Sequence, residues 1–275
     1  MTTRVILVRH GARYDYANPD WAQRAEDLGL FSRDPPLSEL GFRQAEQAAD
    51  HVEKRLSKLG ETADVILVSP YLRVIQTAQP LARRLGAPMC IEEGLAETHH
   101  FTNRLPEARE RFAYFPEIDP SYEPLNVIEP DTMENGKPAE LYPESYMRRN
   151  IEFGRSLTTH FQGKTVVCYS HAASVCLVAG LLGIPFPEDL SFTFAPCGVF
   201  ELELGPKTGH RWTMVSAGHS NTTHVTENDD ATSPWGYTGP YRLLWNEMIA
   251  EEIEAAKQSK ADAWSSRKTS RNSTL

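Results

Sequence analysis

A chain of 275 residues, 40% hydrophobic and 24% charged, carries enough apolar material for a sizeable core, which excludes a disordered or fibrous protein. The formal net charge of -9, from 28 Lys and Arg against 37 Asp and Glu, argues against general nucleic-acid binding, where a basic footprint is expected. No apolar run approaches the roughly 18 residues that span a membrane.

The N-terminus enters an apolar run, Val5-Ile6-Leu7-Val8, without a signal-peptide h-region, and this run is the first predicted strand. A polar, aromatic-rich loop follows from His10 to about Arg33. Pro35-Pro36-Leu37-Ser38 then marks a helix start with Ser38 as N-cap. Phe42, Ala45, Ala49, Val52, Leu56 and Leu59 recur at steps of three and four and predict an amphipathic helix. Val65–Val68 is the second strand, and a helix over 72–85 ends near Gly86. Met89-Cys90-Ile91 is a weaker strand, closed by the Glu92-Glu93-Gly94 turn. Seven prolines between 99 and 143 (Pro106, Pro116, Pro120, Pro124, Pro130, Pro138, Pro143) argue against long regular elements and predict a lid insertion.

A helix resumes near Glu144, with Met147, Ile151, Gly154, Leu157 and Phe161 on one face. Thr165–Tyr169 is the third strong strand, and an apolar helix follows over Ala172–Leu182. Val199–Leu204 and Trp212–Ser216 flank a Gly-Pro-Lys-Thr-Gly hairpin signal. The last helix, near Tyr241–Ala256, packs either on the core or on a second copy of the chain as a homodimer. Beyond it, Lys257, Lys260, Arg267, Lys268 and Arg271 stand against Asp262 alone, and residues 257–275 are expected to be an irregular basic tail. Cys90, Cys168, Cys176 and Cys197 have no paired spacing and read as reduced core thiols of a cytoplasmic protein. Strands alternating with helices predict a single three-layer α/β/α domain over 1–256, built on a mostly parallel sheet with the insertion at about 99–143.

In such folds ligands sit at the carboxyl ends of the strands. Those ends read Arg9-His10-Gly11-Ala12-Arg13, Ser69-Pro70-Tyr71-Leu72-Arg73 and Ser170-His171-Ala172-Ala173-Ser174, with Gly94-Leu95-Ala96-Glu97 after the weaker strand. Arg9, Arg13 and Arg73 suit phosphate oxygens, which guanidinium groups match with paired charged hydrogen bonds. A neutral imidazole among these cations is a competent nucleophile toward phosphorus, and a carboxyl group can protonate the leaving oxygen. Glu97 is the preferred acid, with Glu92 and Glu93 ranked below it because they lie within a turn.

Leu7-Val8-Arg9-His10-Gly11 with the downstream Ser170-His171, together with the Pro36–Ala45 and Ser69–Ala78 stretches, resembles the histidine phosphatase superfamily in its phosphoglycerate-mutase-like branch. The resemblance covers about residues 4–218. Arg13, Asp15, Gly94–Glu97 and Ser170–Ser174 look most like Sts-type (suppressor of T-cell receptor signalling) phosphatase domains. It implies that His10 forms a phosphohistidine, that Arg9, Arg73 and His171 hold the phosphoryl oxygens with Arg13 as a fourth partner, and that Glu97 acts as acid and then base. It also implies no metal or cofactor, and a phosphorylated small molecule or phosphoprotein as substrate. Ala12-Arg13-Tyr14-Asp15-Tyr16 stands where the mutases carry Glu-Ser/Thr-x-x-Asn, so mutase or sugar-bisphosphatase activity is disfavoured. The alternative of another class is a non-catalytic phosphatase-fold subunit of an assembly. His99-His100 and His219 with His224 lack the companion acids of a zinc site. Phe101, Tyr114, Phe115 and Tyr122 either line a leaving-group pocket or pack internally.

Overall fold

The computed structural model describes residues 1–97, 105–128, 143–186, 193–215, 220–228 and 235–272. In chain order these form β1 (Thr3–Arg9), α1 (Tyr14–Ala17), α2 (Trp21–Asp27), α3 (Glu39–Leu59), β2 (Val65–Val68), α4 (Leu72–Leu85), β3 (Met89–Ile91), α5 (Ala108–Phe112), α6 (Glu144–His160), β4 (Thr165–Ser170), α7 (Val175–Leu182), β5 (Val199–Leu204), β6 (Thr213–Met214) and α8 (Gly239–Asn272). The six strands make one sheet in the order β3-β2-β4-β1-β5-β6. The first four are mutually parallel, whereas β5 and β6 run antiparallel as the expected hairpin.

The continuous apolar runs take the centre of the sheet because both of their faces must be covered. Along β1, Val5 and Leu7 join a core beneath α6, α7 and α8, while Ile6 and Val8 join a second core beneath α3 and α4. The two cores are the period-two alternation of one strand, with helices covering each face. Pairing of Val8 with Tyr169 and of Arg9 with Ser170 leaves the carboxyl ends of β1 and β4 level. Val68 pairs with Tyr169 in turn, so β2 ends on the same line.

Ser38 caps α3 as expected, its hydroxyl accepting from the Gly41 N–H at 3.1 Å. Both α3 and α4 end on left-handed glycines, Gly60 and Gly86, which adopt that conformation without a Cβ penalty. The expected loop from His10 to Arg33 contains two short helices, α1 and α2. Within the insertion, α5 forms and Ile118 bridges to Met89 at the edge of the sheet; Pro130 and Pro138 lie outside the described residues. The helix expected at 172–182 opens with a single tight turn, Ala172–Ser174, before α7 begins. The last helix continues past the expected end at 256 to Asn272, so most of the expected irregular tail is helical. Glu, Ala, Lys and Gln dominate residues 254–258, and their helix propensity outweighs the lack of an apolar stripe. Among the described residues no helix is long and apolar enough to cross a membrane.

Candidate active site

Backbone packing sets the loop after β1. A Cβ on Gly11 would lie 2.7 Å from the Gly41 carbonyl oxygen, and one on Gly41 would lie 2.2 Å from that of Ala12. The loop therefore rests directly on the first turn of α3, where the Ala12 N–H donates to Gln44 Oε1 (2.8 Å). This contact explains why a glycine follows His10 and another sits in the Pro36–Ala45 stretch.

His10 is 3% exposed, and its backbone N–H donates to Ser170 O at 2.9 Å. Its ring Nδ1 lies 2.7 Å from Gly11 O. A carbonyl only accepts, so Nδ1 carries the proton and Nε2 keeps its lone pair. Burial, then Arg73 and Arg9, hold the imidazole well below its ordinary pKa of 6.5, so the ring is neutral at pH 7.

His171 lies edge-on to His10, with ring centroids 5.4 Å apart. Arg73 Nη2 donates to His171 Nδ1 (3.2 Å), which leaves Nε2–H to donate to Ser69 Oγ (2.8 Å). Burial, followed by Arg73 and His10, depresses this ring as well. Arg73 is 1% exposed, with its Cζ 4.4 Å from the Tyr71 ring centroid. Its buried Nε has no hydrogen-bond partner among the described residues. Arg9 Nη1 donates to Phe194 O (2.7 Å), and burial brings the guanidinium down to about 10, still a cation at neutral pH. Arg13 turns its fork onto Asp15 through bonds of 2.9 and 2.6 Å.

Glu97 Oε2 stands 3.6 Å from His171 Nδ1, on a side chain 26% exposed. Arg13, Trp21, Arg33, Tyr71, Arg73 and Glu97 line a cavity of about 460 Å³, and of these Tyr71, Arg73 and Glu97 reach His171. The other two acids have different work. The Glu92 carboxylate accepts from Tyr122 Oη and from the backbone N–H groups of Gly94, Leu125 and Asn126. Glu93 accepts from the Ile128 N–H. Both fasten the 122–128 stretch to the end of β3, and burial raises both carboxyls above their usual range.

The structure thus brings Arg9, His10, Arg73, His171 and Glu97 together, with Arg13 at the cavity wall. The sequence reading passed over the cavity's aromatic lining, Trp21 and Tyr71. Tyr122 and Phe115 pack against the core instead, Tyr114 is exposed, and Phe101 lies outside the described residues. It also passed over Arg149, which reads as half of a solvated Arg148-Arg149 pair, and the buried ion pair of Arg111 with Asp34. Asp34 Oδ1 accepts from the Leu72 N–H (2.7 Å) at the start of the helix that carries Arg73. The signal for Asp34 was its place just before Pro35, where a side chain commonly caps or turns.

The four cysteines are buried and free, and burial pushes their thiols up, Cys90 to about 12. His224 stacks on His51 at 4.2 Å; His99, His100 and His219 lie outside the described residues. No group of three or more His, Cys, Asp or Glu is placed to hold a metal among the described residues.

A family model described as the histidine phosphatase superfamily (branch 1) matches residues 5–218, and the chain belongs to that superfamily. The ecdysone phosphate phosphatase of Bombix mori, solved in complex with tungstate, is similar in fold, with a TM-score of 0.56 and 20% identity over 88% of this chain and 99% of that one. The phosphoserine phosphatase of Entamoeba histolytica, solved with 3-phosphoglyceric acid, gives 0.50 and 19% over 81% and 99%. A curated relative, the transcription factor tau 55 kDa subunit of Saccharomyces cerevisiae, is 31% identical over 93 residues, which are 34% of this chain and 20% of that protein.

Proposed function

We propose that this chain hydrolyses phosphomonoesters through a phosphohistidine on His10. The observation that carries the reading is a buried, neutral His10 whose Nε2 keeps its lone pair, with Arg9 and Arg73 close enough to depress it and His171 meeting it edge-on. A phosphoryl dianion entering the 460 Å³ cavity meets guanidinium groups whose burial strengthens their pull on charge. The His10 Nε2 lone pair attacks phosphorus, the P–O ester bond breaks, and Glu97 protonates the departing oxygen. Water then attacks the phosphohistidine, Glu97 takes its proton, the N–P bond breaks, and inorganic phosphate leaves. Arg9 and Arg73 carry the charge of both in-line steps, and the neutral His171, locked between Arg73 and Ser69, packs beside the nucleophile and holds the Arg73 guanidinium in place. The Trp21 and Tyr71 rings give the leaving group an apolar wall, so aryl phosphates are suitable probes.

The 93-residue similarity to a transcription factor subunit supports a second reading, in which the domain serves inside a larger assembly. Catalysis remains the better account, because buried cations and an exposed-edge carboxyl cost stability that a scaffold has no use for. The test is turnover of an aryl phosphate by purified protein against a His10→Ala control. Turnover no greater than the control's overturns the enzyme reading.

A further inference from the structure

Every backbone carbonyl between Glu93 and Glu97 accepts from a side chain. Arg149 Nη1 donates to Glu93 O (3.2 Å), Gly94 O (2.9 Å) and Ala96 O (3.1 Å), and Nη2 donates to Ala96 O (3.1 Å) and Glu97 O (3.4 Å). The remaining carbonyl, Leu95 O, accepts from Ser170 Oγ at 2.7 Å. Ser170 is the residue before His171, so the acid-bearing turn is tied on one side to the imidazole strand and on the other to α6. The same helix presses Phe153 against the turn: a Cβ on Gly94 would meet the Phe153 ring at 2.5 Å.

The Arg149 guanidinium is itself held. The residue is 9% exposed, and its Cζ lies 4.8 Å from the ring centroid of Tyr146, one turn back on α6. Tyr146 Oη in turn lies 3.3 Å from Ser174 Oγ, which is 2.5 Å from Ser170 Oγ. A planar fork with five donors can gather carbonyls that point in different directions, whereas an ammonium group cannot span them. Turns at strand ends ordinarily satisfy their carbonyls with water or backbone. Here a buried cation does so, at the segment whose last residue reaches the imidazole pair.

We propose that Arg149 is the positioning residue of the general acid: its guanidinium fixes the Glu93–Glu97 turn so that the Glu97 carboxyl stands over the leaving oxygen. The inference rests on the phosphatase reading above and adds to it a residue that touches neither phosphate nor leaving group. A positioned acid matters when the leaving oxygen needs a proton and matters little when it does not. Arg149 should therefore be felt through the ester's leaving group, not through the grip on phosphate.

The experiment compares Arg149→Lys, Arg149→Met, Glu97→Gln and the Glu97→Gln/Arg149→Met double variant on an alkyl phosphate and on a dinitrophenyl phosphate. Arg149→Met should lower kcat/KM on the alkyl ester by about a hundredfold, the usual size of an acid–base contribution. It should leave kcat/KM on the dinitrophenyl ester nearly unchanged, because kcat/KM ends at the phosphohistidine and does not include the later step in which Glu97 is the base. Arg149→Lys, which keeps the charge and packs the same space, should fall between. The double variant should be no slower on the alkyl ester than Glu97→Gln alone, since both changes remove one function. Orthovanadate should bind Arg149→Lys and Arg149→Met with wild-type affinity. Equal losses on the two esters, additive losses in the double variant, or weakened vanadate binding in Arg149→Lys overturns the positioning role. Wild-type protein that turns over neither ester overturns the phosphatase reading instead. Wild-type turnover with a Glu97→Gln variant that loses kcat/KM equally on both esters removes Glu97 as the acid, and the role of Arg149 with it.

Discussion

His10 and His171 meet edge-on with opposite tautomers: the first gives its Nδ1 proton to Gly11 O, the second accepts at Nδ1 from Arg73. One ring thereby keeps a lone pair at Nε2, the atom proposed as nucleophile, while the other is locked between a guanidinium and Ser69. Two identical side chains at equivalent strand ends acquire different chemistry from their hydrogen-bond partners alone.

That division predicts where phosphate is trapped. Rapid quenching without acid should find phosphorus on His10 and none on His171, with the adduct absent from His10→Ala. Arg73→Lys should weaken phosphate binding by about 1.5–3 kcal/mol, the cost of losing a charged hydrogen-bonding partner. Mass-spectrometric mapping and an isotherm for inorganic phosphate check both.

The depressed imidazoles predict an activity profile without their signature. Because burial and then Arg73 hold His10 below 6.5, kcat/KM should show no acidic limb near pH 6.5 beyond the one set by the substrate's own second ionisation, about 6. Replacing Arg73 with Gln removes one of those causes and should move a limb upward toward that value. A wild-type limb at pH 6.5 that vanishes in His171→Asn would show His171 titrating at its ordinary value and overturn the depressed pair.

Stability follows the same rings with a definite sign. Above pH 6.5 folded and unfolded chains both carry neutral imidazoles, so stability is full there. As pH falls, the unfolded chain binds protons that the folded chain refuses, and stability declines toward the folded values, about 4 for His224. His224 donates from Nε2 to Cys197 O (2.8 Å), a bond an amide can imitate. His224→Gln should therefore lose less Tm between pH 7 and pH 5 than wild type; parallel curves would count against the assignment.

The contact between the His10 loop and α3 predicts a steep steric cost. Gly41→Ala drives a Cβ into the Ala12 carbonyl, and both partners are backbone. Destabilisation of about 1–3 kcal/mol or more should appear in urea unfolding, with activity reduced in the folded fraction as well.

Asp34 and Arg111 form a buried pair beneath the start of α4. Removing Asp34 alone leaves a buried cation and an unmet Leu72 N–H, and should cost about 3–5 kcal/mol. Changing Asp34 to Asn and Arg111 to Met together should recover much of it, because the amide still reaches Leu72. Calorimetry of the single and double variants makes the comparison.

Much of this arrangement was legible in residue order. Unbroken runs such as Val5–Val8 and Thr165–Tyr169 announce strands covered on both faces, and a polar residue directly after such a run lies at the sheet's edge. His10 and His171 follow from that rule, and Arg73 from the helix start that comes after Val65–Val68. Arg149 does not, since its partners are carbonyls, which every residue carries and no sequence advertises. The cavity's Trp21 was hidden for a related reason: it joins Glu97 in the cavity wall only through the folded path of α1 and α2. The length of α8 escaped because helix propensity, not an apolar stripe, extends it past 256.

The level register of β1 and β4 has a consequence for chain length. Inserting or deleting one residue in either strand shifts its end by about 3.3 Å and turns the next side chain to the opposite face. One imidazole would then be carried away from the other while every residue type stayed the same. Added or lost residues between 105 and 128, by contrast, leave both rings where they are. The reaction centre tolerates a new doorway far better than a miscounted beam.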